Sequence, residues 1–367
     1  MTAPTQLVSV GLGAGPAGAL GRLRVRPVAI LQFVVFLFVI GNLGRIPFLD
    51  LGSRTAPILV NDILMGVAFL TGALTVIRDR SLRLTDVAVA GLVFAAIGGL
   101  SAVAGIERFG FSAMELIGSL AYLARWGLYF SLYVVVINCV RARDVEGLWD
   151  AFEWAMVIIV VFGIVQSIFL PNFAFMVYSD SSQANEWDAQ RNRLVSTLMD
   201  PNLAAALTAV TLLVQLSRMA SGAREPLWKP ALMFAGLVMT LSRGGLLTLA
   251  VGCAVLLPIL GLRKQIVRLM AVLGALLLVF SPKLIGFAAQ YTRFTVSDES
   301  ALTRVVIWKR SLATFLDYPI FGIGFNTYGF VQERRGFARV AKASYSAEGG
   351  LLFVVVMTGI VGLLVYI

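Results

Sequence analysis

Residues 85–105 read TDVAVAGLVFAAIGGLSAVAG, with Asp86 as the only ionisable side chain, and they stand between Arg83 and the pair Glu107–Arg108. About 20 apolar residues rising ~1.5 Å each cross the roughly 30 Å hydrocarbon core of a bilayer. The stretch therefore reads as a membrane-spanning helix. Runs of the same kind recur at 28–44, 56–77, 115–140, 151–170, 201–217, 230–242, 245–260, 266–282 and 349–367, giving about ten spans at that length.

The composition agrees. Of the 367 residues, 59% are hydrophobic and 14% charged, against about 45–50% and about 25% in soluble domains. The expected fold class is all-α, a polytopic membrane helix bundle. Residues 1–27 form a cytoplasmic N-terminal segment that lacks the basic start of a cleavable signal, so the first span is a retained anchor. Residues 28–282 hold spans 1–9 with an outer loop at 171–200, residues 283–348 form a large outer loop, and 349–367 are the last span. No basic flank follows Ile367, so one or two further spans are expected beyond it.

Charge placement supplies the orientation. With the N-terminus inside, each inside segment carries Lys or Arg: Arg22–Arg26, Arg78–Arg83, Arg141 and Arg143, Arg218–Lys229, and Arg263–Arg268. The short outside turns hold only Arg45, Arg54, Arg108 and Arg243. This is the positive-inside pattern, and it accounts for the net charge of +10 without a nucleic-acid surface. The two cysteines, Cys139 and Cys253, both lie in apolar runs, so neither a disulfide framework nor a zinc site is built from them. The chain has no histidine, which excludes Ser-His-Asp triads, HExxH metal sites and any histidine base.

In such a bundle, ionisable groups at membrane depth and polar residues in long loops carry the chemistry. Four places qualify. Arg191 and Arg193 precede Asp200-Pro201-Asn202, where Asp200 and Pro201 read as the cap and first residue of a helix. Two guanidinium groups beside a helix N-terminus suit an anion, with phosphate the natural candidate. Arg243 lies in Leu241-Ser242-Arg243-Gly244-Gly245, the turn of a hairpin whose arms are too short to cross the membrane, so the turn is expected below the outer surface, facing a polar cavity, an anion or a salt-bridge partner.

The third place is the large outer loop. Residues 301–316 have the spacing of an amphipathic helix lying on the outer surface, with Arg304 and Trp308 on one face. Pro319-Ile320-Phe321-Gly322-Ile323-Gly324-Phe325-Asn326-Thr327-Tyr328 follows, where glycines permit close backbone approach. Phe325 and Tyr328 are candidates to stack on sugar rings or to anchor at the interface. The fourth place is Glu348, at the outer mouth of the last span, either a helix-end carboxylate or a general base. Arg125, near mid-depth in the fourth span, needs a neutralising partner such as Glu115, Glu107 or Asp62.

Taken in order, Arg193 through Pro201-Asn202, Leu241-Ser242-Arg243-Gly244, Arg304 with Trp308, Pro319 through Phe325, and Thr358-Gly359-Ile360-Val361-Gly362-Leu363 resemble the O-antigen ligase and polymerase family. These are multi-spanning bacterial glycosyltransferases that use undecaprenyl-diphosphate sugars. The resemblance covers residues 190–367. It implies a GT-C-type enzyme of the inner membrane with a periplasmic active site, an inverting outcome, and no metal or other cofactor. Arg191, Arg193, Arg243 and Arg304 would hold the diphosphate, with Asn202, Trp308, Asn326 and Tyr328 around the substrate. The implied partners are an undecaprenyl-diphosphate-linked glycan, an acceptor glycan or lipid A core, and membrane lipids.

One position departs from the family pattern. Ligases usually carry a His-Asn pair eleven residues before the glycine that matches Gly359, and Glu348-Gly349 stands there instead. A carboxylate still accepts a proton, and the change shifts the expectation from ligase toward polymerase. The competing class is a membrane transporter of polysaccharide or a small anion. That class predicts repeated halves and binding residues near the midplane, whereas the polar elements here gather toward one face.

Overall fold

The computed structural model describes residues 8–11, 27–50, 55–177, 193–260, 299–337, 347 and 349–367. Arg191, Glu348 and the expected span at 266–282 lie outside the described residues. Among those described there are twelve α-helices: α1 (Pro27–Leu37), α2 (Val60–Asp79), α3 (Asp86–Phe109), α4 (Ala113–Cys139), α5 (Val145–Phe169), α6 (Phe173–Val177), α7 (Pro201–Ala220), α8 (Trp228–Met239), α9 (Arg243–Leu260), α10 (Glu299–Asp317), α11 (Tyr328–Arg334) and α12 (Gly350–Tyr366). Among the described residues, six helical segments, Pro27–Gly44, Val60–Asp79, Asp86–Phe109, Ala113–Cys139, Ala142–Phe169 and Pro201–Ala220, are long and apolar enough to cross a membrane. The chain is an all-α polytopic membrane bundle.

Local chemistry sets the helix ends. Thr85 caps α3 by accepting from Ala88 N at 3.3 Å. Ser112 and Glu115 form a reciprocal capping box on α4, Ser112 N donating to Glu115 Oε2 at 2.7 Å and Glu115 N to Ser112 Oγ at 3.3 Å. Two short antiparallel ribbons were not expected: β2 (Arg45–Asp50) with β3 (Thr55–Leu59), and β1 (Val8–Gly11) with β4 (Ser81–Leu84).

The helices divide into two units, one from residues 1–34, 45–145 and 298–367, the other from 35–44 and 146–297. In the second unit, α8 and α9 both pack on α7. Its core joins Met156, Ile159 and Val160 of α5 to Ala205 and Leu212 of α7 and to Met233 and Leu237 of α8. Close approach is needed at the start of α9, where a Cβ on Gly245 would stand 2.5 Å from that of Ala205. The twelve-residue α8 rises only about 18 Å, so the hairpin arm is as short as the sequence indicated.

In the first unit, α2 packs on α4, α4 on α3, α3 on α12 and α12 on α10. Arg125 of α4 pairs with Asp62 of α2 at 2.8 Å and donates to the Pro57 carbonyl, so its charge is neutralised within the bundle.

The segment after α10 departs from the expected surface loop. Gly359, at φ 67° and ψ −168°, breaks the helical geometry inside α12. The chain from Pro319 to Gly324 fills the break: Ile360 N donates to Pro319 O at 2.8 Å, Val361 N to Ile320 O at 3.3 Å, Ile323 N to Val356 O at 3.1 Å and Gly324 N to Met357 O at 3.0 Å. Ser101 of α3 donates to Phe321 O and to Met357 O, and Ser119 of α4 donates to Phe325 O at 2.6 Å.

Depth follows from helix rise. Ser101 lies nine residues before Gly110, the left-handed cap of α3, so it sits about 13 Å along the helix from that end. Chain at that depth cannot leave peptide groups unpaired in lipid, and irregular backbone is tolerated there only when packed in protein. The two serines and the broken α12 supply the partners. The return limb, α11, is fastened at the level of the α3–α4 turn. Arg334 makes two bonds to Glu115, at 2.8 and 2.7 Å, and a third to Gly110 O at 3.1 Å.

Candidate functional site

The sequence-predicted residues of the second unit gather around the α8–α9 turn. Arg193 donates from Nε to the Thr240 carbonyl at 2.8 Å, where α8 ends. Its main chain is held by two further contacts: Leu194 N donates to Met239 O at 3.0 Å, and Arg193 O accepts from Gln166 Nε2 at 3.3 Å. The Gln166 side-chain Oε1 accepts from Val195 N and Ser196 N. This buried glutamine of α5 therefore fixes the approach to α7. The expected cap is present: Asp200 Oδ1 accepts from Asn202 N at 2.7 Å and Leu203 N at 3.3 Å, with Pro201 at the first helical position.

Asn202 is tied to the same turn, its Oδ1 accepting from Ser242 Oγ at 2.9 Å. Ser242 itself caps α9, accepting from Gly245 N at 3.4 Å. Arg243 is the first residue of α9 and is exposed. Leu241 adopts φ 52° to make the reversal. The structure thus brings Arg193, Asn202, Ser242 and Arg243 together, at a place where α7 and α9 both begin. Two helix N-termini add partial positive charge to two guanidinium groups, and the sum favours an oxyanion.

In the first unit, Arg304 and Trp308 lie on α10 four residues apart, both exposed. Asn326 takes the left-handed conformation, φ 55°, just before α11, a backbone state asparagine tolerates better than most residues. Tyr328 is fully buried rather than displayed, in the cluster of Phe111, Ile323, Phe330 and Val356. The motifs Pro319–Phe325 and Thr358–Leu363 turn out to be two halves of one joint, since Gly359 leaves room for the Ile320 carbonyl and Gly322 for the backbone of Val356 and Met357.

Sequence reasoning missed a buried polar group in the second unit. Glu153 of α5, 1% exposed, is paired with Lys229 of α8 and accepts from Gln215 Nε2 of α7 at 2.8 Å. The signal was available, because an acid inside an apolar run always needs a partner. Ser101 and Ser119 were missed for a different reason: lone serines in apolar helices are common, and nothing local marks the backbone they serve.

Comparison with known proteins matches residues 230–367 to the family model described as O-antigen ligase, Wzy_C. Over this stretch, rather less than half of the chain, the protein is similar to the O-antigen ligase family. The match begins at α8 and includes Arg243, Arg304, the Pro319–Phe325 segment and Gly359. No match was found among curated proteins or among solved structures. The family, with the six apolar helices, supports a bacterial membrane protein of polysaccharide biosynthesis, with an enzymatic function of the O-antigen ligase or glycosyltransferase type and glycan and lipid-linked substrates in a general sense.

Proposed function

We propose that the chain is an inverting glycosyltransferase of the bacterial inner membrane that moves a glycan from undecaprenyl diphosphate to an acceptor hydroxyl on the periplasmic face. The observation that supports this most is the α8–α9 turn, where Arg193 and Arg243 flank the N-termini of α7 and α9. In the proposed reaction the acceptor oxygen bonds to the anomeric carbon as the bond from that carbon to the diphosphate oxygen breaks. The diphosphate leaves with the electron pair, and the arginines offset its growing charge, a task that fixed cations perform without reorganisation. The family resemblance adds Arg191 and Arg304 as further diphosphate ligands and Glu348 as the base that takes the acceptor proton. It adds Asn202 and Trp308 as substrate contacts.

Glu348 in place of the ligase histidine favours a polymerase, whose acceptor is the end of another lipid-linked repeat unit, over transfer to lipid A core. Because Arg243 stands exposed at a helix start, replacing it removes charge without opening the core. Arg243→Ala is expected to abolish glycan transfer while the protein keeps its membrane level and melting temperature. Turnover near wild type in that variant refutes the diphosphate role.

A further inference from the structure

We propose that α10 is a re-entrant helix that enters the bilayer with its Asp317 end deepest and turns an apolar stripe to the acyl chains. Two independent observations carry this. The first is depth. The residues that follow Asp317 are hydrogen-bonded beside Met357–Val361, in the middle of α12, and against Ser101, about 13 Å from the end of α3. A helix lying flat on the surface cannot deliver its C-terminus to that level.

The second is the polarity of the helix, which is inverted relative to one that meets water. Val305, Trp308, Leu312 and Leu316 recur at helical spacing along one face and are exposed, Trp308 by 53% and Leu316 by 66%. The stripe continues into exposed Ile320 and Phe321 beyond the helix. On the opposite face Ser311 and Thr314 are fully buried. There Thr314 Oγ1 donates to Arg310 O at 2.8 Å and accepts from Gln332 Nε2 at 3.0 Å and Arg335 Nη1 at 3.3 Å. Ile307 is buried on that inner face as well, while the outer face carries the apolar stripe with Lys309 beside it and Asp317 neutralised by Arg335 at 2.8 Å; large apolar side chains turned outward over buried hydroxyls are what a lipid-facing helix tolerates. Of the exposed cations, Arg304 lies toward the end of the helix opposite Asp317 and Lys309 at its middle, from where long side chains reach up to the phosphate level of the bilayer. The occupant of the stripe is therefore lipid hydrocarbon, the polyprenyl chain of the proposed substrate at Trp308 included, and not a second protein.

The test is independent of any enzymatic assay. The full chain with Cys139→Ala and Cys253→Ala is placed in vesicles of phosphatidylcholine and phosphatidylglycerol, and a spin label is attached in turn at Val305→Cys, Leu312→Cys and Leu316→Cys. Collision with oxygen, which partitions into hydrocarbon, is compared with collision with a water-soluble nickel chelate. The proposal expects oxygen to dominate at Leu312 and Leu316, with depth increasing from 305 to 316 by roughly 10–16 Å, eleven residues at up to ~1.5 Å each. Equal depth at the three positions overturns it in favour of a helix flat on the surface, and nickel dominance at Leu316 overturns it in favour of a water-exposed helix. If a labelled variant fails to fold, the quenching lost between wild type and Trp308→Phe isolates the signal of Trp308. Quenching of that signal by brominated acyl chains supports the proposal, and quenching by iodide alone overturns it.

Discussion

Gly359→Ala is expected to destabilise the first unit more than a glycine replacement normally does. At φ 67° and ψ −168° the residue occupies a region almost confined to glycine, and any other residue there costs about 1–3 kcal/mol. The new Cβ would also overlap the Ile320 carbonyl, which is main chain and cannot rotate aside. Moving that carbonyl away breaks the bond it accepts from Val361 N at 3.3 Å and, through the shared main chain, the neighbouring bond from Ile360 N to Pro319 O at 2.8 Å, each worth about 1 kcal/mol net. The total is about 3–5 kcal/mol, a large part of the 5–15 kcal/mol typical of a domain. Two other glycines calibrate the figure. Gly110, at φ +64° with nothing near its Cβ position, should lose about 1–2 kcal/mol as alanine. Gly66, helical and open, should gain about 0.5–1 kcal/mol. Thermal melting of the three variants in detergent, followed by size exclusion, gives the order directly. If Gly359→Ala melts no lower than Gly110→Ala, the interlocked joint is not what holds the Pro319–Gly324 segment.

Two further substitutions address the second unit and the proposed base. Lys229→Met strands Glu153 without its counter-charge and should cost about 3–5 kcal/mol, whereas Glu153→Gln with Lys229→Met should recover most of it; equal melting losses for the single and double variants contradict a coupled pair. Glu348→Gln should slow transfer about 10²–10⁴-fold if the carboxylate is the general base, and a loss below tenfold moves that role to another carboxylate such as Asp200.

The spans were legible because lipid demands long apolar runs, and those runs predict α2–α4 and α7–α9 to within four residues of their observed ends, while α5 begins six residues before its expected start. The cap at Asp200 and the shortness of α8 were legible for the same reason: each follows from local chemistry. The Arg125–Asp62 pair was foreseen among three alternatives, since a charge at mid-depth forces a partner but not its identity. What the sequence hid is long-range. Nothing local in Pro319–Phe325 says that its carbonyls will be met by a break at Gly359 or by Ser101 and Ser119, so the segment read as an outer loop. Tyr328 read as a display position because an aromatic beside Asn and Thr in a loop looks the same whether it faces a ligand or a core. At the α8–α9 turn the arginines were evident, but the contacts that seat them, Thr240 O for Arg193 and Ser242 for Asn202, belong to the fold.

The central claim is glycan transfer driven by a cation-held diphosphate. The direct measurement supplies the full-length protein in lipid vesicles with an undecaprenyl-diphosphate-linked repeat unit in the presence of EDTA, and separates the products on a gel. The account predicts a ladder of polymerised repeats without added lipid A core, and no ladder from Arg243→Ala. Product that forms only with lipid A core changes the acceptor to that of a ligase. Absence of any glycan transfer, with the protein folded and lipid-linked substrate present, contradicts the account.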